Sequence, residues 1–380
     1  MKRILVCASR ISHVINFHLP YLKYFKEQGY IVDVASEGVT NDDLIDNCYD
    51  MRFVKNPLSA ENLRTVSRLK KLMKENEYTV VYSNSTLAGA AAKMAVMQLG
   101  KGRPYFVHIS HGYMFGVNGA KSAIYRTVEK MTSSASDALV VMNQEDYYLA
   151  KKYKLGKNLH YIYGMGLCTE KFPQISDELR AEVRERAGAD ESIKLLLCVG
   201  EFSERKNQEL LIRAFEKIHK QHKNTVLAFA GSGKTENKCR LIVEQLELEK
   251  CVKFLGQTEN INELYRSSDL LVACSKMEGL PFNVMEALYC GMPVAASDIK
   301  GHRDLLKNKS FSVLFKNDIS SVCECISRVL SDEKLYNKMK NTAFLDERYF
   351  IENTEPALLG ILDKDYMPSA NVEAEEGAIK

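Results

Sequence analysis

The sequence lacks any apolar run approaching the roughly 20 residues that cross a bilayer as a helix. It therefore reads as a globular chain rather than a membrane-spanning one. Its ten cysteines contain no C-x-x-C pair; the nearest spacing is Cys323 and Cys325, a weak metal signal. Most cysteines sit inside apolar runs (Cys7, Cys198 in LLLCVG, Cys274 in LVACS) and read as reduced core residues of a cytosolic protein. The apolar run after Met1 stops at Arg10, too soon for a signal peptide, and fits a first buried strand. No repeat at solenoid periods is present. Charge of one sign is also scarce: the net charge is +3 over 380 residues, and no nucleic-acid partner is expected.

What is present is alternation. Short β-branched or apolar runs at 4–8, 31–36, 52–56, 80–84, 105–110 and 138–143 are separated by amphipathic stretches such as 17–28 and 63–75. A second series runs 194–200, 225–231, 252–256, 270–275, 293–297 and 311–315. This pattern predicts an α/β protein with parallel sheets covered on both faces, in two tandem Rossmann-like domains. The expected boundaries are 1–175 for the first domain and 190–345 for the second. A C-terminal helix over 346–365 is expected to cross back to the first domain, before a disordered tail over 366–380. Open sheets bind ligands beyond the carboxyl ends of their strands, so an interdomain cleft is the expected site. Charge divides unevenly, +8 over residues 1–173 and −5 over the rest. The basic half suits an anionic partner, although Arg64, Arg68, Lys70, Lys71 and Lys74 read equally well as one solvated helix face.

The most specific motif is Glu278-Gly279-Leu280-Pro281-Phe282-Asn283-Val284-Met285-Glu286. A buried strand precedes it, and Pro281 suits the start of a helix that Gly291-Met292-Pro293 stops. The first amides of a helix have no carbonyl partner within it and lie at its positive dipole end, which favours phosphate. Carboxylates accept hydrogen bonds from vicinal hydroxyls, so Glu278 and Glu286 can each grip a sugar ring. Gly200 to Asn207 is another strand-end loop, in which Arg205 and Lys206 could neutralise a diphosphate. Gly256, closing the run 252–256, is counted with these donor-loop residues. Ala230 to Thr235 resembles a P-loop, but position 228 is Ala where that motif needs Gly, so a tight βα turn is expected. In the first half, His111 at a strand end is the candidate to contact a sugar or shuttle a proton, with His108 read as structural. Gly112 and Gly116 imply a mobile or tightly turned loop after it. Ser12, His13 and Asn16, after the first strand, are acceptor-side candidates. Asp363-Lys364-Asp365 matches a metal-binding tripeptide but lies far from any strand end, and no metal is assigned.

These motifs resemble the retaining glycosyltransferases of family four, with the GT-B fold, over residues 1–363. The E-x7-E element is Glu278 to Glu286. Val199, Gly200 and Lys206 match the family's Val-Gly loop and its downstream lysine, and residues 164–172 match a linker loosely. His111-Gly112-Tyr113, Tyr125, Glu129-Lys130 and Asn143-Gln144-Glu145-Asp146 are similar to a bacterial subgroup that makes capsular and exopolysaccharides. Two features depart from the family. Glu201 stands where an arginine is common, leaving Arg205 with Lys206 as the cation pair, and Arg10-Ile11-Ser12-His13 replaces a glycine-rich loop.

The resemblance implies metal-independent transfer from a nucleotide sugar, most often a UDP-sugar, with retention at the anomeric carbon. Glu286 would hold ribose, Glu278 the donor sugar, Gly279 and Leu280 the diphosphate, and His111 the donor sugar near the acceptor. No second carboxylate is evident for the opposite sugar face, so front-side attack is expected. The implied acceptor is a glycan or undecaprenyl-diphosphate-linked saccharide. The implied location is the cytoplasm, with peripheral contact to anionic lipid at the cytosolic face of the inner membrane. The rival readings are a GT-B-fold sugar-nucleotide epimerase, a phosphorylase, which would need a pyridoxal lysine not evident here, and a non-catalytic sugar-nucleotide-binding protein.

Overall fold

In the computed structural model, the described residues are 1–54, 59–113, 115 and 120–367. The chain divides into two compact units, Met1–Gly166 together with the segment from Ile351, and Leu167–Phe350.

The first unit is built on β1 (Arg3–Cys7), β2 (Ile31–Ser36), β3 (Asn47–Asp50), β4 (Val80–Ser83), β5 (Tyr105–Ser110), β6 (Ala138–Val141) and β7 (Asn158–Tyr161). They form one parallel sheet in the order β3-β2-β1-β4-β5-β6-β7. The second unit has β8 (Lys194–Val199), β9 (Thr225–Ala230), β10 (Val252–Gly256), β11 (Leu270–Ala273), β12 (Val294–Ser297) and β13 (Ser312–Phe315), ordered β10-β9-β8-β11-β12-β13. The expected pair of Rossmann-like parallel sheets is thus present.

The central strands read as continuous apolar runs because helices bury both faces. Leu196 pairs with Leu227 on one side and Leu270 on the other, and Leu196, Leu227 and Leu270 are all buried. In both sheets the strand order reverses beside the first strand, between β1 and β4 and between β8 and β11. That reversal opens a crevice at the carboxyl ends.

Several local expectations are corrected. The strand expected at 52–56 is instead Asn47–Asp50, a half-exposed edge strand paired to β2. Met51 and Phe53 are buried in the core without entering a ladder, while residues 55 and 56 lie outside the described residues. β7 is another edge strand whose polar composition gave no apolar signal. The helix expected over 17–28 is two helices, Ile11–Phe17 and Leu19–Glu27, because Pro20 suits a first turn rather than a helix interior.

The polar stretch after Asp177 is a helix, Asp177–Arg186, belonging to the second unit. Its anchor is Arg184, a buried guanidinium that donates to the carbonyls of Ser267, Asp190 and Ile193 and pairs with Asp269 at 3.0 Å. The C-terminal helix spans Ile351–Leu362 and groups with the first unit. Its first turn packs against Gly166, where a Cβ would meet Ile351 Cα at 2.5 Å. Gly116 and residues 368–380 lie outside the described residues.

Candidate active site

The sequence motifs of the second unit converge at the β8/β11 reversal. The loop after β8 begins at Gly200 (φ 144°), where a Cβ would lie 3.0 Å from Lys206 Cε. Glycine there lets the Lys206 stem fold back across the strand end. The neighbouring loop is equally close: a Cβ on Gly231 would lie 2.3 Å from the Gly200 carbonyl oxygen. Gly200 N–H donates to Ala230, Phe202 N–H to Ser232, and Gly231 N–H to the carbonyl of Gly256. Gly256 therefore appears as a backbone partner that holds the Gly231 loop. The backbone of Ala230 is strand, and Lys234 lies in the turn that follows, as a βα connection rather than a P-loop.

β11 leads through Ser275 to Glu278 and then to the helix Phe282–Tyr289, whose N-cap Pro281 offers no side-chain cap. Asn283, in the first turn, donates its amide to the Val199 carbonyl at 2.9 Å and ties this helix to the end of β8. A Cβ at Gly301 would lie 2.6 Å from the Gly279 carbonyl oxygen, so that glycine lets the next helix close under the turn.

Glu278 collects the charge. Its Oε2 takes Arg205 Nη1 at 2.5 Å; its Oε1 takes Lys206 Nζ and Ser275 Oγ, each at 2.8 Å. Burial pushes this carboxyl up, but Lys206 and Arg205 outweigh burial and hold it down at about 2. Glu286 is shifted the other way, raised by burial, and its Oε2 accepts the Tyr265 hydroxyl at 2.6 Å. The two glutamates are thus separated in chemistry as well as position: one is a paired anion, the other a half-buried acceptor on a helix.

Sequence reasoning missed Ser275, Tyr265, Asn283 as an anchor, and Gly301. Each acts across 3 to 84 positions of chain on a group the motif supplies, so only Ser275, three residues from Glu278, lay within local reach.

In the first unit, His111 follows β5 and His13 lies on the helix after β1. Their ring centroids are 4.5 Å apart. His18, the last residue of the stretch Ser12 to His18 that follows β1, completes a trio with centroids 5.4 Å from His13 and 5.9 Å from His111. Burial keeps all three imidazoles neutral and lowers His13 to about 4. Ser12 and Asn16, on the same helix as His13, are exposed rather than gathered into this trio. His108 is buried against Ser83 Oγ at 2.9 Å. Asn143 caps the helix Gln144–Tyr153 through Asp146 N–H, and Asp146 in turn accepts the Tyr113 N–H at 3.1 Å. That turn therefore positions the backbone just after His111. Glu129 forms a buried ion pair with Lys93. Asp363 accepts the Tyr24 hydroxyl and Asp365 pairs with Lys2, so both acids of that tripeptide have structural partners.

Residues 180–346 match the family Glycosyl transferases group 1, and residues 3–143 match Glycosyl transferase 4-like. EpsD of Bacillus subtilis (strain 168), a glycosyltransferase by name, is 31% identical over 342 residues, covering 89% of this chain and 90% of that protein. An Escherichia coli UDP-Gal:alpha-D-GlcNAc-diphosphoundecaprenol alpha-1,3-galactosyltransferase is 25% identical, covering 83% and 81%. Among solved structures, Anabaena HepE in complex with UDP and glucose superposes with a TM-score of 0.75 at 16% identity, over 95% of this chain and 99% of that one. WaaG, a glycosyltransferase involved in lipopolysaccharide biosynthesis, gives 0.74 at 15% identity, with 95% and 99% covered.

Proposed function

The chain belongs to the group 1 glycosyl transferases, and from that premise we propose that it moves a hexosyl group from a UDP-sugar to a lipid-diphosphate-linked saccharide, with retention, in the assembly of a surface polysaccharide. The observation that carries this reading is Glu278, clamped between Arg205 and Lys206 at the start of the Phe282–Tyr289 helix. In the free protein the carboxylate stands in for the donor's phosphates as counterion of the two cations. An arriving diphosphate brings more negative charge and bidentate geometry to the same cations. Glu278, released from them but still bonded to Ser275, then accepts hydroxyls of the donor sugar. Glu286, oriented by Tyr265, accepts the ribose hydroxyls. The backbone of Gly279 and Leu280 meets the diphosphate, with Gly200 and Gly256 shaping the loops around it.

The chemistry assigned to this site is charge stabilisation of the departing UDP by fixed cations and helix dipole. The bond from the anomeric carbon to the UDP oxygen breaks as the acceptor oxygen bonds on the same face. The acceptor's proton passes to the leaving phosphate. His111, with the acceptor-side Ser12, His13 and Asn16, is assigned to substrate recognition by the first unit. No metal is assigned to the diphosphate, because Arg205 and Lys206 occupy that role.

The test is a panel of UDP- and GDP-sugars, scored for binding and for slow hydrolysis to the nucleotide. A UDP-hexose is expected to bind and hydrolyse without added Mg2+ or Mn2+. Glu286→Ala is expected to lose nucleotide affinity by about tenfold or more, the scale of hydrogen bonds to a charged group. A strict Mn2+ requirement, unchanged nucleotide binding in Glu286→Ala, or a covalent sugar trapped on Glu278 would each overturn part of this assignment.

Peripheral membrane contact is assigned to the helices Ala120–Thr132 and Gln144–Tyr153. They expose Ile124, Met131 and Tyr148. Arg126, Lys130 and Tyr153 line a hollow of about 460 Å³ on the same unit. The cations on Ala60–Asn76 suit the role less, since Arg64 and Lys71 lie near Glu61 and Glu75 on their own helix. Binding to anionic vesicles that weakens with salt supports this contact, and salt-insensitive binding counts against it.

A further inference from the structure

The imidazole trio of the first unit does more than pack. One ring nitrogen from each of His13, His18 and His111 lies within 4.8 Å of the other two. Each ring also has a buried nitrogen without a hydrogen-bond partner: Nδ1 of His13, Nε2 of His18 and Nε2 of His111. An unsatisfied buried polar atom costs about 1–3 kcal/mol, and here each of three neighbouring rings carries one.

The topology puts them there. His111 is the first residue beyond β5, and His13 lies in the first helix after β1, at the same end of the sheet. The helix is interrupted between Phe17 and Leu19, with His18 at φ −117° and ψ −11°, capping both helices. That break returns His18, five residues after His13, to the same side.

The geometry points to a zinc-class divalent metal site on His13, His18 and His111. Neutral imidazoles are donors for Zn2+, Ni2+ or Cu2+ rather than for Mg2+ or Ca2+, which prefer oxygen. A tetrahedral ion with Zn–N bonds of about 2.0–2.1 Å needs its nitrogens roughly 3.4 Å apart. The three atoms lie within 4.8 Å of one another, so at most about 1.4 Å separates any pair from that spacing. The outer contact that orients a ligating histidine is present for His18, whose Nδ1 lies 3.5 Å from the Tyr82 hydroxyl. With Nδ1–H donating to Tyr82, Nε2, which has no other partner, is left as the donor atom for a metal. Three protein ligands leave a fourth position for water or a substrate oxygen, and the partial exposure of His13 and His111 gives access to it. The site lies wholly in the first unit; it shares His13 and His111 with the substrate-recognition role assigned above, and metal uptake is read without turnover, so the two can fail separately.

The experiment uses the full chain with no affinity tag, stripped by chelation and titrated with Zn2+ and, separately, Co2+. One equivalent of each is expected to bind, with Co2+ giving visible d–d bands and no thiolate charge-transfer band, which separates this site from the ten cysteines. His18→Ala and His111→Gln are each expected to weaken Zn2+ binding at least about a hundredfold, and Tyr82→Phe about tenfold. Circular dichroism confirms the fold of each variant; His111→Gln, at a half-exposed position, carries the test if His18→Ala does not fold. No stoichiometric uptake by the native chain, a thiolate band, or native affinity in folded His111→Gln would overturn the site.

Discussion

The two units share the order of six parallel strands, to which the first adds β7, and place opposite chemistry at the reversal point. In Leu167–Phe350 the strand ends gather formal charges, with Glu278 between Arg205 and Lys206. In the first unit the corresponding end gathers three neutral rings with unpaired nitrogens. A parallel sheet supplies position, a crevice at its carboxyl ends, but not the character of what binds there. That is set by a few side chains in the loops. The charged arrangement suits a polyanionic ligand that replaces one counterion by another. The imidazole trio suits a ligand that supplies charge where there is none.

Stability is where the two units are expected to respond most strongly. Among the described residues, each unit holds a buried cation with an acid partner: Arg184 with Asp269 in the second, Lys93 with Glu129 in the first. Removing the cation strands a buried acid, so Arg184→Ala and Lys93→Ala are each expected to cost about 3–5 kcal/mol. Hydrogen exchange should localise each loss to its own sheet, β8–β13 or β1–β7. Loss spread evenly over both sheets would show that the units do not unfold separately.

Catalysis comes next. Glu278→Gln is expected to lower turnover by about a hundredfold or more while leaving UDP affinity unchanged or improved, because the cations lose a competitor. Lys206→Ala should do the reverse to binding, weakening UDP by roughly 10–100-fold, the scale of 1.5–3 kcal/mol for a charged contact, and sparing uridine. Equal effects of both variants on UDP and uridine would remove the distinction between sugar and phosphate roles.

The smallest effect is on pH. Glu278 is held at about 2 in the fold, by Lys206 and Arg205 against the opposing effect of burial, whereas an unfolded Glu titrates near about 4.3. Its folded value is depressed, so its contribution to stability is present above about pH 4.3 and is lost as pH falls towards 2. Acid titration of Glu278→Gln should show a shallower loss of stability in that window than the native chain; identical slopes would contradict the ion-pair assignment.

Local patterning was sufficient for much of this. The apolar runs mark the interior strands because a strand buried on both faces has no polar face to interrupt it. Edge strands are half solvated, so Asn47–Asp50 and Asn158–Tyr161 carried no such mark. The Glu278–Glu286 spacing was legible because strand, turn and helix follow one another directly in the chain. Tyr265, Gly301 and Arg184 were not, since each meets its partner only after intervening elements have folded.

By itself, then, the sequence determined the alternation that makes two parallel sheets, and the turn that sets Glu278 before a helix and Glu286 within it. Those features depend on residues a few positions apart, where backbone geometry is local. The tertiary structure alone decided that Glu278 is the counterion of Arg205 and Lys206, that Tyr265 orients Glu286, and that His18 joins His13 and His111. Such pairings depend on which strand ends become neighbours, and sheet order brings together residues separated by up to 98 positions, as with His13 and His111.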